Sequence, residues 1–269
     1  MSSLITAAEL RDALGEVTVL DVRWELGRDD GWEQYLAGHV PGAAYVDMEH
    51  DLADPPGDGG RHPLPDDERF AEAMRRCGVS RARPVVVYDG TAGLAAARAW
   101  WLLCHHGHPD VRLLDGGWPA WLAAGGEQAT GEESVGAGDF AADPGHRPVV
   151  DAAGAARIAR EGVLIDARAP ERFRGETEPI DPVAGHVPGA VNVPTAQNLV
   201  DGRWRSVSEL AGVYAMVEGA DEVATYCGSG VTAAHDLFAL HLLGVEAALY
   251  AGSWSEWITD PSRPTSARP

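Results

Sequence analysis

The sequence contains no lysine: all 21 of its basic residues are arginine. That absence excludes Schiff-base catalysis, a lysine-anchored pyridoxal phosphate and a P-loop nucleotide site, each of which needs the amine. Cysteine is scarce too. Cys77, Cys104 and Cys227 form an odd set with no paired spacing, which argues against a disulfide framework or a cysteine zinc site. No apolar run is long enough to span a bilayer, and the start "MSSLITAAELRDALGE" lacks the basic-then-apolar layout of a secretory signal. Reduced thiols and no such signal lead to the expectation of a cytoplasmic protein. With a formal charge of −20 and a pI near 4.7, neither nucleic acid nor an anionic membrane is expected as a partner. An anionic substrate would have to be drawn in by local positive charge against a negative background.

What is present is a duplication. The chain of 269 residues has room for two ordinary domains, and four blocks recur in the same order. "VTVLDVR" (17–23) returns as "GVLIDAR" (162–168), and "AGHVPGAAYV" (37–46) as "AGHVPGAVNV" (184–193). "VVVYDG" (85–90) answers "EVATYCG" (222–228), and "LLDGGWPAW" (113–121) answers "LYAGSWSEW" (249–257). The expected boundaries are a first domain over 1–124, a linker over 125–148 and a second domain over 149–269. The linker stretch is rich in Gly, Ala, Pro and acid.

Each half opens with a capped helix, Thr6 and Glu9 forming a capping-box pattern in the first and Asp151 standing as the cap in the second. A short strand ending in Asp follows, then the Gly-His-Val-Pro-Gly turn, then strands alternating with helices. That alternation predicts an α/β fold, with a parallel sheet flanked by helices in each half.

The chemistry concentrates in "YCGSGVTAAH" (226–235), where a thiol stands between an apolar strand and a helix-forming run. In parallel sheets ligands bind beyond the carboxyl ends of the strands. The stretch "CGSGVT" can curl so that backbone N–H groups converge on one point at a helix N-terminus, and Gly228 and Gly230 permit the dihedrals this needs. Such a cradle stabilises a thiolate and makes it nucleophilic near neutral pH. The first half has "YDGTAGL" at the matching place, with Asp89 instead of cysteine. A carboxylate cannot act as a thiol nucleophile, so one half is read as catalytic and the other as a structural or substrate-shaping copy. Cys77 and Cys104, inside apolar helical runs, read as small core residues.

The repeated "GHVPGA" turns, the "GGWPAW" and "GSWSEW" ends and the loop "CGSGVT" together resemble the rhodanese superfamily, and within it the tandem-domain sulfurtransferases whose first domain is inactive. The resemblance covers essentially the whole chain. It implies two rhodanese-like domains and sulfur transfer through a persulfide on Cys227, without a metal or organic cofactor. The loop form "CGSGVT" is similar to that of 3-mercaptopyruvate sulfurtransferases, whereas "CRKGVT" belongs to thiosulfate sulfurtransferases. By the same likeness Gly228, Gly230, Val231 and Thr232 shape the substrate cradle, and Arg172 holds the donor carboxylate. A second arginine just downstream is missing, since the region reads "EPIDPVAG"; Arg168 and Arg174 are the substitutes nearest in sequence. The family's relay of acid, histidine and serine maps onto Glu49, His62 and Ser229, with Asp47 as the register alternative for the acid. The paired His39 and His186 occur in both halves and read as structural.

The implied partners are a small-molecule sulfur donor, a thiol or cyanide acceptor and a thioredoxin-like reductant. Thiosulfate is the alternative donor. A cysteine phosphatase needs a longer loop ending in arginine, and position 233 is Ala. A non-catalytic rhodanese-like binding module is disfavoured by the intact cysteine.

Overall fold

Residues 3–267 are described by the computed structural model, and they divide into two compact units. The first holds 3–54, 64–147 and 202–204; the second holds 55–63, 148–201 and 205–267.

In the first unit β1 (Leu4–Ile5), β2 (Thr18–Asp21), β3 (Ala43–Tyr45), β4 (Val85–Tyr88) and β5 (Val111–Leu114) form a parallel sheet in the order β1-β5-β4-β2-β3. Register partners Val19 and Val86 face a cluster that includes Leu10 of α1 (Ala7–Ala13) and Trp121 of α5 (Gly117–Ala123). Their chain neighbours Leu20 and Val87 are fully buried as well, on the opposite face. The strands are therefore apolar on both sides, as a helix-covered parallel sheet requires. The remaining helices are α2 (Gly31–Ala37), α3 (Asp67–Arg76) and α4 (Ala96–His105). Helix starts follow the sequence signals. Thr6 and Glu9 close a capping box on α1, and the Asp66 carboxylate accepts from the N–H groups of Glu68 and Arg69 at the start of α3.

The second unit repeats the plan. Strands β6 (Val149–Val150), β7 (Val163–Asp166), β8 (Val191–Asn192), β11 (Val223–Tyr226) and β12 (Ala248–Tyr250) run parallel in the order β6-β12-β11-β7-β8. Leu164 and Ala224 pack with residues of α6 (Ala152–Glu161) and α10 (Ser253–Trp257). The Asp151 side chain caps α6 at 2.8 Å from Gly154 N. Two short helices, α7 (Pro170–Phe173) and α8 (Val207–Val213), precede α9 (Ala233–Leu242), which is buried from Ala233 to Leu240 and so has no polar face there. Short strands β9 (Leu199–Val200) and β10 (Arg203–Trp204) belong to the second and first units respectively.

The paired histidines are structural in both halves. His39 Nδ1 meets Tyr35 O at 2.9 Å and its ring stacks on Tyr35; His186 Nδ1 meets Phe173 O at 2.7 Å and stacks on Phe173.

Two features of the units go beyond the boundaries read from the sequence. Residues 125–147 pack on the first unit: Ala129 bridges His39 as an isolated antiparallel pair, and Phe140 is buried edge-on against Phe70. The backbone of a Gly-rich stretch is free to follow a surface closely, which composition alone presents as flexibility. Residues 55–63, within the first half by sequence, belong to the second unit. Gly60 fits against the carbonyl of Gly252, where an added Cβ would lie 2.7 Å away, and Arg61 N donates to Ser255 Oγ at 3.1 Å.

Candidate active site

Strand β11 ends at Tyr226 and α9 begins at Ala233, so residues 227–232 form a loop at the carboxyl end of a central strand. Cys227 is 1% exposed. The N–H of Gly230 points at its sulfur, 3.2 Å from N to Sγ. The start of α10 holds the loop from behind: Cys227 N donates to Ser253 Oγ at 3.1 Å, Trp254 N to Cys227 O at 3.0 Å, and Ser255 N to Gly228 O at 2.9 Å. Gly230 has φ of +81°, and a Cβ there would sit 2.3 Å from the carbonyl oxygen of Ala251. Glycine is needed at that position for both reasons.

The first unit shows what this kind of loop does with an anion. The Asp89 carboxylate accepts from the N–H groups of Thr91, Gly93, Ala95 and Ala96 at 2.8 to 2.9 Å, and it is fully buried. Converging backbone amides hold a negative side chain by charge-assisted hydrogen bonds. Where the first unit is filled by its own carboxylate, the second places a thiol.

His62 and Ser229 meet: Nδ1 lies 2.7 Å from Oγ, with both residues nearly buried. Glu49 belongs to the first unit, in the turn after β3, where its carboxylate accepts from the Trp24 indole N–H at 2.8 Å. Asp47 instead caps that turn, accepting from the N–H groups of Glu49 and His50 at 2.8 and 3.0 Å.

Two guanidinium groups stand over Gly228. A Cβ added to Gly228 would lie 3.6 Å from both Nη atoms of Arg172 and 2.9 Å from Nη2 of Arg61. Arg172 is held by Glu178, with Nη2–Oε1 at 2.7 Å and Nε–Oε2 at 3.1 Å, and its Nη2 reaches Asp181 at 3.3 Å. Burial alone would raise the Glu178 carboxyl, but the Arg172 bonds and the backbone N–H groups of Asp181 and Ile180 bring it below its ordinary value.

Arg168, Val231, Thr232 and Arg174, also singled out from the sequence, are placed as follows. Arg168 is 3% exposed and forms a two-pronged pair with Asp166, Nη2–Oδ2 being 2.7 Å, while Nη2 also donates to Gly185 O. Its side chain lies over the Trp254 ring at 4.9 Å. Arg23 does the same with Asp21 and Gly38 O in the first unit. Arg168 thus repeats Arg23 in tying the Gly-His-Val-Pro-Gly turn to its strand. Val231 is buried and its carbonyl accepts from Ala234 N, so its side chain shapes the loop from inside. Thr232 precedes α9 without a side-chain capping bond. Arg174 pairs with Glu176 on the surface.

Sequence reasoning missed Arg61, Asp181 and the supporting Ser253 and Ser255. Only Arg61 carried a signal, its position next to His62 in "GGRHPLP". The other two thiols are poor nucleophiles: burial pushes Cys77 up to about 12 and Cys104 up to about 11.

Two parallel α/β units, one with a strand-end thiol and one with a carboxylate in its place, define a tandem rhodanese arrangement. The rhodanese-like domain family matches residues 6–124 and 151–260, and the chain belongs to that family. It is 48% identical over 278 residues to a Pseudomonas aeruginosa protein provisionally named 3-mercaptopyruvate sulfurtransferase, covering 98% of each. It is 45% identical over 275 residues to SseB of Mycobacterium tuberculosis, provisionally named a thiosulfate sulfurtransferase, covering 97% of this chain and 95% of that one. The solved structure of 3-mercaptopyruvate sulfurtransferase from Leishmania major superposes with a TM-score of 0.86 at 32% identity, over 97% of this chain and 75% of that one.

Proposed function

We propose that this protein is a sulfurtransferase that moves sulfur from 3-mercaptopyruvate to a thiol through a persulfide on Cys227. The observation that carries the reading is the Cys227 sulfur faced by the Gly230 N–H, with two guanidiniums over the neighbouring Gly228. In the first half-reaction the Cys227 thiolate attacks the donor's sulfur and forms an S–S bond. The carbon–sulfur bond breaks, its electron pair passes to the enolate of pyruvate, and a proton taken up at carbon gives pyruvate. Ser229, in the loop and hydrogen-bonded to His62, supplies that proton or steadies the enolate oxygen. In the second half-reaction an acceptor thiolate, or cyanide, attacks the outer sulfur and releases the Cys227 thiolate, giving ping-pong order. Arg172 binds the donor carboxylate, Gly228, Gly230, Val231 and Thr232 shape the cradle, and His62 with Ser229 forms the proton-handling pair.

The acceptor side of the reading is a thioredoxin-like dithiol in a reducing cytoplasm, supported by three unpaired cysteines. Among the described residues no helix is long and apolar enough to cross a membrane. Thiosulfate is the second reading, favoured by the name of the M. tuberculosis relative. Steady-state turnover of both donors on one preparation decides: mercaptopyruvate is expected to lead by at least about tenfold in kcat/KM. Equal or better use of thiosulfate would overturn the donor assignment.

A further inference from the structure

Asp181 occupies an unusual place. Its side chain is only 3% exposed, and its two oxygens are divided between two cations: Oδ1 takes Nη1 of Arg61 and Oδ2 takes Nη2 of Arg172. Those are the same two guanidiniums that crowd the vacant face of Gly228, the residue next to Cys227. Carboxylate and arginine geometry match, so a site in which two arginines already share one carboxylate is built to receive a carboxylate.

The charge count points the same way. Arg61, Arg168 and Arg172 are answered by Asp166, Glu178 and Asp181, so with Asp181 in place three cations face three anions. Little positive charge is left to attract an anionic donor in a chain of net charge −20. Yet Arg61 Nε is buried without a hydrogen-bond partner, an arrangement that costs free energy unless a ligand completes it. Glu178 holds Arg172 and Asp166 holds Arg168 by two-pronged pairs, whereas Asp181 makes single contacts to each of its cations. Asp181 also lines a cleft with Gly60, Ile180 and Pro182.

We propose that Arg61 is the second arginine of the donor-carboxylate site and that Asp181 is its internal occupant, which the donor's carboxylate displaces. This rests on the mercaptopyruvate reading for the identity of the donor. An α-keto acid whose carboxylate replaces Asp181 over Gly228 carries its sulfur on the third carbon, toward the neighbouring Cys227. Arg61 then supplies what the sequence lacks downstream of Arg172. Asp181 acts as a built-in competitor: it keeps the arginines in position in the resting enzyme and sets a threshold that weaker anions do not pass.

The two residues must therefore act with opposite sign. The binding of pyruvate, which shares the donor's carboxylate and ketone, is measured by calorimetry on the unmodified protein, Asp181→Asn and Arg61→Ala, with Asp181→Ser and Arg61→Gln as second variants and thermal melts as folding controls. The amide of Asn keeps the shape and removes the charge. Pyruvate should bind about fivefold or more tightly to Asp181→Asn and about tenfold or more weakly to Arg61→Ala, the donor KM moving in parallel and kcat changing less. Weaker or unchanged pyruvate binding in folded Asp181→Asn and Asp181→Ser would overturn the displacement, and unchanged binding in the Arg61 variants would remove Arg61 from the site. Turnover is scored separately. If pyruvate binding shifts as stated but no variant or parent transfers sulfur from mercaptopyruvate, the carboxylate site stands and the proposed reaction fails.

Discussion

His62 Nδ1 lies 2.7 Å from Ser229 Oγ although 167 residues separate them along the chain. The contact lies wholly within the second unit, because residues 55–63 belong to it. If this pair moves a proton during carbon–sulfur cleavage, Ser229→Ala should lower kcat by about ten- to a hundredfold and leave KM nearly unchanged. Steady-state kinetics across pH should also show the loss of a limb in the kcat profile. A full-rate Ser229→Ala enzyme with an unaltered profile would leave the serine a purely structural part.

Cys227 alone should carry sulfur. Cys227→Ser is expected to abolish transfer, while Cys77→Ser and Cys104→Ser keep most of it, since burial pushes those thiols up to about 12 and about 11 and leaves little thiolate at neutral pH. Intact mass after donor treatment should show one added sulfur atom that a reducing thiol removes. Mapping it to Cys77 or Cys104 would redirect the mechanism.

The two loop glycines should fail in different ways. At Gly228 an added methyl would press on the ends of Arg61 and Arg172, flexible tips that can yield. Gly228→Ala should therefore fold normally and show a raised donor KM. At Gly230 the methyl would meet the Ala251 carbonyl at 2.3 Å with φ at +81°, so Gly230→Ala should cost about 1–3 kcal/mol of stability. Denaturant melts beside kinetics separate the two, and equal melting of both variants would contradict the assignment.

Asp236 in α9 offers a test by pH. Its carboxyl is buried, Oδ1 accepting from Asn198 Nδ2 at 2.8 Å and Oδ2 having no hydrogen-bond partner, and burial raises it from 3.8 to about 8. An acid whose folded value lies above its unfolded value binds more proton in the native state. Stability should then decline as pH rises from about 4 to about 8. Asp236→Asn should flatten that decline and melt higher than the parent at pH 8, and an unchanged slope would mean that the carboxyl is ionised in the fold.

Much of this protein was legible in the chain itself. The duplicated blocks, the capping patterns at Thr6 and Asp151 and the apolar strands gave the two parallel sheets, because these are local signals whose periodicity and turn chemistry do not depend on distant partners. Cys227 stood out for the same reason, a thiol on a Gly-rich strand-to-helix turn, with Asp89 as its contrast. What only the tertiary structure decided is the assignment of charge. Arg168, Arg172 and Arg174 lie close together in sequence, yet one is locked to Asp166 inside the unit, one stands over the loop and one pairs with Glu176 at the surface. Arg61 carried only the sign of standing next to His62; its nearness to Gly228 comes from a segment of the first half packing on the turn at Gly252. A guanidinium on a long side chain takes its role from whichever carboxylate or backbone oxygen the folded chain brings within reach, and that is a property of three-dimensional packing that spacing along a sequence does not record.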